Sequence, residues 1–329
     1  MNRLKIGTLG CARIAPQALL HPAKKNNDVV VFAIAARDPR RAQKFAKKHG
    51  IPIVHKDYDA LINDPTIDAI YNPLPNSLHA EWSIRALRAG KHVLCEKPMA
   101  SNTQEAERMQ KVAEEEGRVL MEAFHWRYHP LAERVLTLLR AQTIGEIHKI
   151  ESTFCIPLPF RNDIRYNPDL GGGALMDTGS YTISILRHFM GEEPNVVSAT
   201  AKKANVEIDR YMEAALQFPS GAMGSIRCSL WAWPLVSISA NVVGTLGSIT
   251  IANPVIPHLF YHHLKVKSPT VNGTERFWGM TTYDCQLRAF VHAVRDSSQP
   301  YTDGRDAIRN MRVIDAIYQK SGMNPRGRG

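Results

Sequence analysis

A two-domain α/β protein is predicted, and three observations predict it. The first 124 residues alternate short apolar runs with amphipathic ones. After Phe124 the pattern changes to longer runs in which apolar and polar residues alternate. The chain has 329 residues, more than one such domain ordinarily needs. Strand–helix alternation implies right-handed crossovers and a doubly wound parallel sheet. Alternating runs joined by turns imply an open, mostly antiparallel sheet with helices on one face. The expected domains are therefore 1–124 and 125–329, with the C-terminal helix a candidate for packing back on the first domain.

The elements follow in order. "LKIGTLG" is a strand ending in glycine, and "RIAPQALLHPAKKN" a helix that tolerates Pro16 in its first turn. "VVVFAIAA" is a second buried strand, and "DPRRAQKFAKKHG" a helix closed by Gly50. "IPIVH" and "DYDALINDP" form a third pair, "IDAIYNPLP" and "LHAEWSIRALRAG" a fourth. "KHVLCEKP" is a fifth strand, followed by the amphipathic "TQEAERMQKVAEEEG" with its charges on the outer face. "RVLMEAF" is a sixth strand. Beyond it, "HPLAERVLTLLRAQ" reads as a helix. "EIHKIESTFCI", "NVVSATAKKA", "YMEAALQFPSGAMGSIRCSLWAW", "SISANVVGTLGSITI" and "HLFYHHLKVK" read as strands. Pro219-Ser220-Gly221 marks a hairpin turn. Further helices lie in "GGGALMDTGSYTISILRHFMG", "YDCQLRAFVHAVR" and "GRDAIRNMRVIDAIYQK".

Composition narrows the function. Lysine and arginine number 41 against 31 acidic residues, a formal charge of +10. Such a surface attracts phosphates. The basic residues are spread along the chain without a zinc-finger or basic-zipper pattern, which argues for a small phosphorylated cofactor rather than nucleic acid. The basic tail "NPRGRG" is expected to be a frayed end. The five cysteines are scattered and lack metal-ligand spacing, so free thiols in a reducing compartment are expected. The adjacent His262 and His263 fall on a strand and point to opposite faces, which disqualifies them as a metal pair. No apolar run is long enough to span a membrane. A cytoplasmic protein without membrane or metal is the expectation.

Gly10-Cys11-Ala12-Arg13-Ile14-Ala15 follows the first strand and opens a helix. It matches a dinucleotide fingerprint, with alanine in the second and third glycine places. Gly10 allows the tight turn, and the backbone from Ala12 through Arg13 and Ile14 offers N–H groups to a pyrophosphate. The methyl of Ala12 stands where the backbone should approach phosphate closely. After the second strand comes Ala36-Arg37-Asp38-Pro39-Arg40-Arg41. Arg37 sits where a guanidinium can stack on adenine and pair with a 2′-phosphate. Asp38 is a counter-signal, because an acid here can take a ribose 2′-hydroxyl instead. Arg40 and Arg41 read equally well as a solvated helix face. NADP is favoured, with NAD as the alternative.

Two further stretches carry chemistry. In "HVLCEKPMA" a buried strand ends at Glu96-Lys97, and Pro98 removes a backbone donor and holds Lys97 extended. Such a lysine serves either a salt bridge or a reaction. Asp177 and Tyr181 stand four apart, on one face of a helix. From spacing alone they fit a cap and a core aromatic as well as a reactive pair.

The fingerprint, "EKP" after the fifth strand, and "GGGALMDTGSY" in the second domain together resemble the Gfo/Idh/MocA oxidoreductases. "AARDPRRAQKFAKKHGIP", "MEAFHWRYHP" and "IRYNPDLGGGALMDTGSY" look closest to a branch of three enzyme types. These are dimeric dihydrodiol dehydrogenases, NADP-dependent xylose dehydrogenases and glucose-fructose oxidoreductase. The resemblance implies a Rossmann domain, an open-sheet α/β domain, and a substrate pocket between them. By similarity Pro73, Asn76, His79, Glu96 and Lys97 line the cofactor, and Arg127 lies near its nicotinamide end. Helix capping at the surface is the other reading of Asn76 and His79. Tyr181 stands where the family places its acid/base. Lys97 would orient the substrate oxygen and favour the phenolate of Tyr181. Asp177 would hold a second hydroxyl, and Arg165 would face the substrate or a partner loop. The implied substrate is an aldose, a related polyol or a trans-diol, and the implied assembly a homodimer or homotetramer through the C-terminal sheet. Redox-assisted glycoside cleavage with tightly held NAD, and a non-catalytic NAD(P) sensor, are the alternatives.

Overall fold

The computed structural model describes residues 3–160 and 162–327. The chain folds into two compact units. The first runs up to Phe124 and takes in Tyr283–Ile308; the second comprises His125–Thr282 and the chain from Arg309 onward.

The first unit holds a six-stranded parallel sheet, with β1 (Leu4–Leu9), β2 (Val29–Ala35), β3 (Ile53–Val54), β4 (Ala69–Asn72), β5 (His92–Cys95) and β6 (Leu120–Glu122). Their order is β3-β2-β1-β4-β5-β6, so the crossovers wind one way from β1 and then the other. Ile6, Leu9, Ile34, Ile70, Val93 and Leu94 are buried, as expected for strands covered on both faces. The first crossover differs from the expected single α-helix. Pro16–Leu20 is a π-helical turn that runs into α1 (His21–Lys25). α2 (Pro39–His49) starts at Asp38, whose carboxylate accepts from the N–H groups of Arg40 and Arg41, and stops at Gly50 with φ +74°. α3 (Tyr58–Ile62), α4 (His79–Arg88) and α5 (Thr103–Glu115) complete the layers. In α5 the Asn102 side chain caps the Glu105 N–H, while the Glu105 carboxylate reaches back to the Ser101 N–H. This reciprocal cap buries an acid on a helix whose charges were expected to face outward.

The second unit begins with a 3₁₀ turn at His125–Tyr128 and α6 (Pro130–Arg140). Its eight-stranded sheet comprises β7 (Ile147–Cys155), β8 (Asn195–Lys203), β9 (Asp209–Gln217), β10 (Met223–Ser229), β11 (Ser237–Gly244), β12 (Gly247–Ala252), β13 (His263–Lys267) and β14 (Asn272–Glu275). The order is β14-β13-β12-β11-β7-β10-β9-β8. Every neighbouring pair is antiparallel except β7 with β10. α7 (Ser180–Met190) packs on β7 and β10. β9 and β10 are joined at Phe218–Ala222, where the hairpin was expected.

Two expectations differ from what is observed here, and one strand was not foreseen. The strand foreseen from His258 starts only at His263, because His262 is turned inward and accepts the Phe277 N–H. The short strand β14 pairs with it although "NGTE" has no apolar pattern. The tail was expected to fray, yet Arg326 is buried and its guanidinium donates to Asp209 at 2.8 Å. The expectation for the last two residues of the tail lies outside the described residues. α8 (Thr282–Asp296) and α9 (Gly304–Lys320) close the chain.

Candidate active-site residues in the two units

In the first unit the candidate cofactor residues gather at the carboxyl ends of β1, β2 and β3. Gly10 has φ +77° and its N–H bonds the Ala35 carbonyl, which locks the turn after β1 to the end of β2. A Cβ at Gly10 would sit 3.2 Å from Leu74 and 3.6 Å from the Tyr58 hydroxyl, so the close approach reserves the place for glycine. Cys11, Ala12 and Ile14 are half-buried and Arg13 is exposed. The Cys11 thiol is pushed up by burial, with the charge of Arg41 opposing. The Tyr58 hydroxyl is raised by burial, and Arg37 opposes through its charge and its backbone N–H. These couplings bring the fingerprint loop, Arg37, Arg41 and Tyr58 to one corner. Tyr58 was not singled out from sequence; its signal is its position just past β3, where a parallel sheet places ligand-facing loops.

Asp38 and Arg37 are both exposed, but they are committed differently. One oxygen of Asp38 caps α2, an ordinary N-cap duty. That structural role accounts for the acid without a ribose. The corner therefore fits a dinucleotide whose 2′ position carries phosphate: a glycine turn, an arginine, and an acid already engaged.

At the carboxyl ends of β4 and β5 the remaining candidates divide. Pro73 is buried and Asn76 is half-buried at the start of a 3₁₀ turn. His79 is fully buried, which overturns the surface-cap reading. Its Nδ1 lies 2.9 Å from the Pro98 carbonyl oxygen and its Nε2 2.7 Å from that of Leu74. Burial lowers its pKa to about 4, the two carbonyls opposing. The ring thus pins the loop after β4 to the Lys97-Pro98 turn after β5. Lys97 and Glu96 are half-buried there, and Glu96 accepts a 2.6 Å hydrogen bond from the buried Tyr71 hydroxyl. Tyr71 is pushed well above its ordinary value by burial first and by Glu96 second, so it stays a donor.

In the second unit Leu175–Gly179 is a π-helical turn that leads into α7. The wider turn means that the α-helical spacing expected for Asp177 and Tyr181 does not hold between them. Tyr181 is buried, its ring 5.5 Å from Phe154 and 5.8 Å from His125 between centroids. Its hydroxyl lies 3.1 Å from His125 Nε2. Asp177 pairs with Arg165 at 2.7 Å, and Arg165 also pairs with Asp163 at 3.0 Å. Arg165 is raised, first by Asp177. Arg127 is half-buried on the same 3₁₀ turn as His125. His125 was missed from sequence, although it lies within "MEAFHWRYHP". Nothing in that string marks one histidine over another until the fold brings it to Tyr181. Among the described residues no cluster of histidine, cysteine and acid side chains could hold a metal ion.

Two family models match the chain. Residues 4–124 match the oxidoreductase family with NAD-binding Rossmann fold, and residues 133–250 match the GFO/IDH/MocA C-terminal domain. The chain is a GFO/IDH/MocA oxidoreductase. A D-xylose 1-dehydrogenase (NADP⁺) of Haloferax volcanii is 35% identical to it over 97% of each chain. A trans-1,2-dihydrobenzene-1,2-diol dehydrogenase of Sus scrofa is 33% identical over 68% of this chain and 66% of that one. A 3-ketoreductase of Actinomadura kijaniata, solved with NADP and TDP-benzene, superposes with a TM-score of 0.90 at 30% identity, covering 100% of both chains. Solved variants of that enzyme replace a tyrosine by phenylalanine and a lysine by alanine.

Proposed function

We propose that this oxidoreductase is an NADP-dependent dehydrogenase acting on a hydroxyl of an aldose, a related polyol or a trans-diol. The observation that carries the reading is the near-full-length similarity to an NADP-dependent xylose dehydrogenase. The corner at Gly10, Arg37 and the engaged Asp38 supports the phosphorylated cofactor. When bound, the nicotinamide accepts or returns the hydride. Lys97 holds the reacting oxygen through its ammonium group. Tyr181 takes the hydroxyl proton in oxidation and returns it in reduction. Asp177, paired with Arg165, accepts a second substrate hydroxyl.

The test is a panel of aldoses and diols with NADP⁺ and NAD⁺, followed by absorbance of the reduced cofactor. Turnover of an aldose with NADP⁺ is expected. Tyr181→Phe should lower kcat by about 10²–10⁴-fold, the usual worth of a general acid/base. Lys97→Ala should depress turnover far more than stability, checked by urea unfolding; equal loss of both would refute its role.

We also propose a cytoplasmic homodimer or homotetramer assembled through the second unit's sheet. Glu151, Glu213, Arg227 and Asn241 line a shallow polar depression on that sheet, suited to a self-complementary contact. All five cysteines are free, three of them buried, which suits a reducing compartment. No helix among the described residues is long and apolar enough to cross a membrane. Light scattering checks the assembly, and a monomer at micromolar concentration would refute it.

A further inference from the structure

The Tyr181 hydroxyl begins a chain of hydrogen bonds within the second unit. His125 Nε2 is 3.1 Å from it, and His125 Nδ1 is 2.8 Å from Thr282 Oγ1. Thr282 Oγ1 is in turn 3.2 Å from His258 Nδ1. Tyr181, His125 and Thr282 are buried, whereas His258 is half-buried and is followed by the exposed Leu259 and Phe260. The chain therefore leads from the buried phenol towards solvent.

One backbone group sets its direction. The Thr282 N–H points at His258 Nδ1 at 3.5 Å, which favours a lone pair on that nitrogen rather than a proton. The Thr282 hydroxyl then donates to His258 Nδ1 and accepts from His125 Nδ1–H. His125 Nε2 is left as the acceptor, and the Tyr181 hydroxyl donates to it. Each tautomer follows from the one before.

We infer that His125, Thr282 and His258 form a proton relay serving Tyr181, with His125 as the residue that positions and deprotonates the phenol. The inference rests on the reading of Tyr181 as acid/base. In oxidation the substrate hydroxyl gives its proton to the Tyr181 oxygen while hydride leaves its carbon. The Tyr181 proton passes to His125 Nε2, the His125 Nδ1 proton to Thr282 Oγ1, and the Thr282 hydroxyl proton to His258 Nδ1. His258 then releases its Nε2 proton to water. One proton leaves the substrate and one reaches solvent; no electrons move along the chain. Reduction runs the same path in reverse.

The titratable groups around the relay are few. Arg127 and His129 lie beside His125 in sequence, and His188 stacks edge-on against the neighbouring Trp126. Asp177, paired with Arg165, precedes Tyr181 by one π turn. His262 shares the segment of His258. His129 is lowered to about 4, by burial first and then by His258 and His262, so it stays neutral and does not compete for the proton.

The experiment compares kcat–pH profiles for oxidation of D-xylose, or of the faster panel sugar, with NADP⁺. The variants are His125→Gln, His258→Gln and Tyr181→Phe. For His125→Gln a fall in kcat of at least about tenfold is expected, with both KM values within roughly threefold. The acid limb should move up by about one pH unit or more, because the phenol must then ionise without His125 to take its proton. The solvent deuterium effect, curved in a proton inventory of the wild type, should become linear. His258→Gln should give the same changes at smaller size, and decides the matter if His125→Gln does not fold. A loss equal at every pH, or kcat within about twofold of wild type, overturns the relay. If Tyr181→Phe is inactive while both histidine variants keep their rate, only the relay falls. If Tyr181→Phe keeps full activity, the acid/base reading falls first and the relay with it.

Discussion

Arg37 and Asp38 are adjacent, exposed and opposite in charge, so their types alone leave the cofactor undecided. Geometry separates them. Asp38 spends an oxygen on the first N–H groups of α2, while the Arg37 guanidinium is not used in that cap. A charge-assisted hydrogen bond is worth about 1.5–3 kcal/mol, or roughly 10–100-fold in affinity. Arg37→Ala should therefore raise KM for NADP⁺ by roughly that factor and leave KM for NAD⁺ nearly unchanged; initial rates with each cofactor check it. An equal rise for both cofactors would remove Arg37 from 2′-phosphate recognition. Arg165 and Asp177 teach a related lesson. Sequence proposes each as a substrate contact, and the fold gives each the other as a partner. Their charges are thus held in place by an ion pair before any ligand arrives.

At the level of an element, the segment bearing Asp177 and Tyr181 is held at its start by a buried carboxylate. Asp209, at the beginning of β9, is 0% exposed and accepts the Leu175 N–H at 2.7 Å. Its other oxygen takes the Tyr318 hydroxyl at 2.9 Å and the Arg326 guanidinium at 2.8 Å. A helix start, a strand, the last helix and the tail meet at this one side chain. Removing one partner of a buried ion pair leaves an uncompensated charge and costs about 3–5 kcal/mol. Arg326→Met should lower stability by about that amount in urea unfolding. A change below about 1 kcal/mol would show that the tail is dispensable. Gly173 is packed against the same node. It has φ +130°, and a Cβ there would lie 2.3 Å from Asp209 Oδ1. Gly173→Ala combines a disfavoured backbone with this clash, so a loss of about 1–3 kcal/mol or more is expected in the same assay.

For the whole molecule, three histidines couple stability to pH. His79, His92 and His129 are each lowered to about 4, with burial the largest cause in each case. Two of them also accept backbone N–H groups, His92 from Val119 and His129 from Leu131. An unfolded histidine titrates near 6.5, so below that value the unfolded chain binds more protons than the folded one. The stabilisation is complete above about 6.5 and is lost as pH falls towards 4. Each histidine contributes a slope of up to about 1.4 kcal/mol per pH unit in that window, less for the partly exposed His92. His92→Asn keeps an acceptor and loses the titration. Urea midpoints between the two pH limits should then fall less steeply than in the wild type; an unchanged slope would dismiss His92 as a contributor.

Much of the fold was legible in sequence because its signals are local and periodic. Buried strands such as "VVVFAIAA" announce themselves by composition, "DPRRAQKFAKKHG" by a cap at each end, and the Gly10 turn by its place after a strand. What only the tertiary structure decided involves residues far apart in the chain. His125 meets Tyr181 and Thr282 across 56 and 157 positions, and Arg326 meets Asp209 across 117. Such pairings have no period and no propensity, since a hydrogen bond between distant side chains depends on where two backbones have been brought. The π turn before α7 is of the same kind, because a single widened turn leaves the apolar pattern around it intact. Sequence thus determined the layers and named the candidate side chains, and packing determined which partner each of them has.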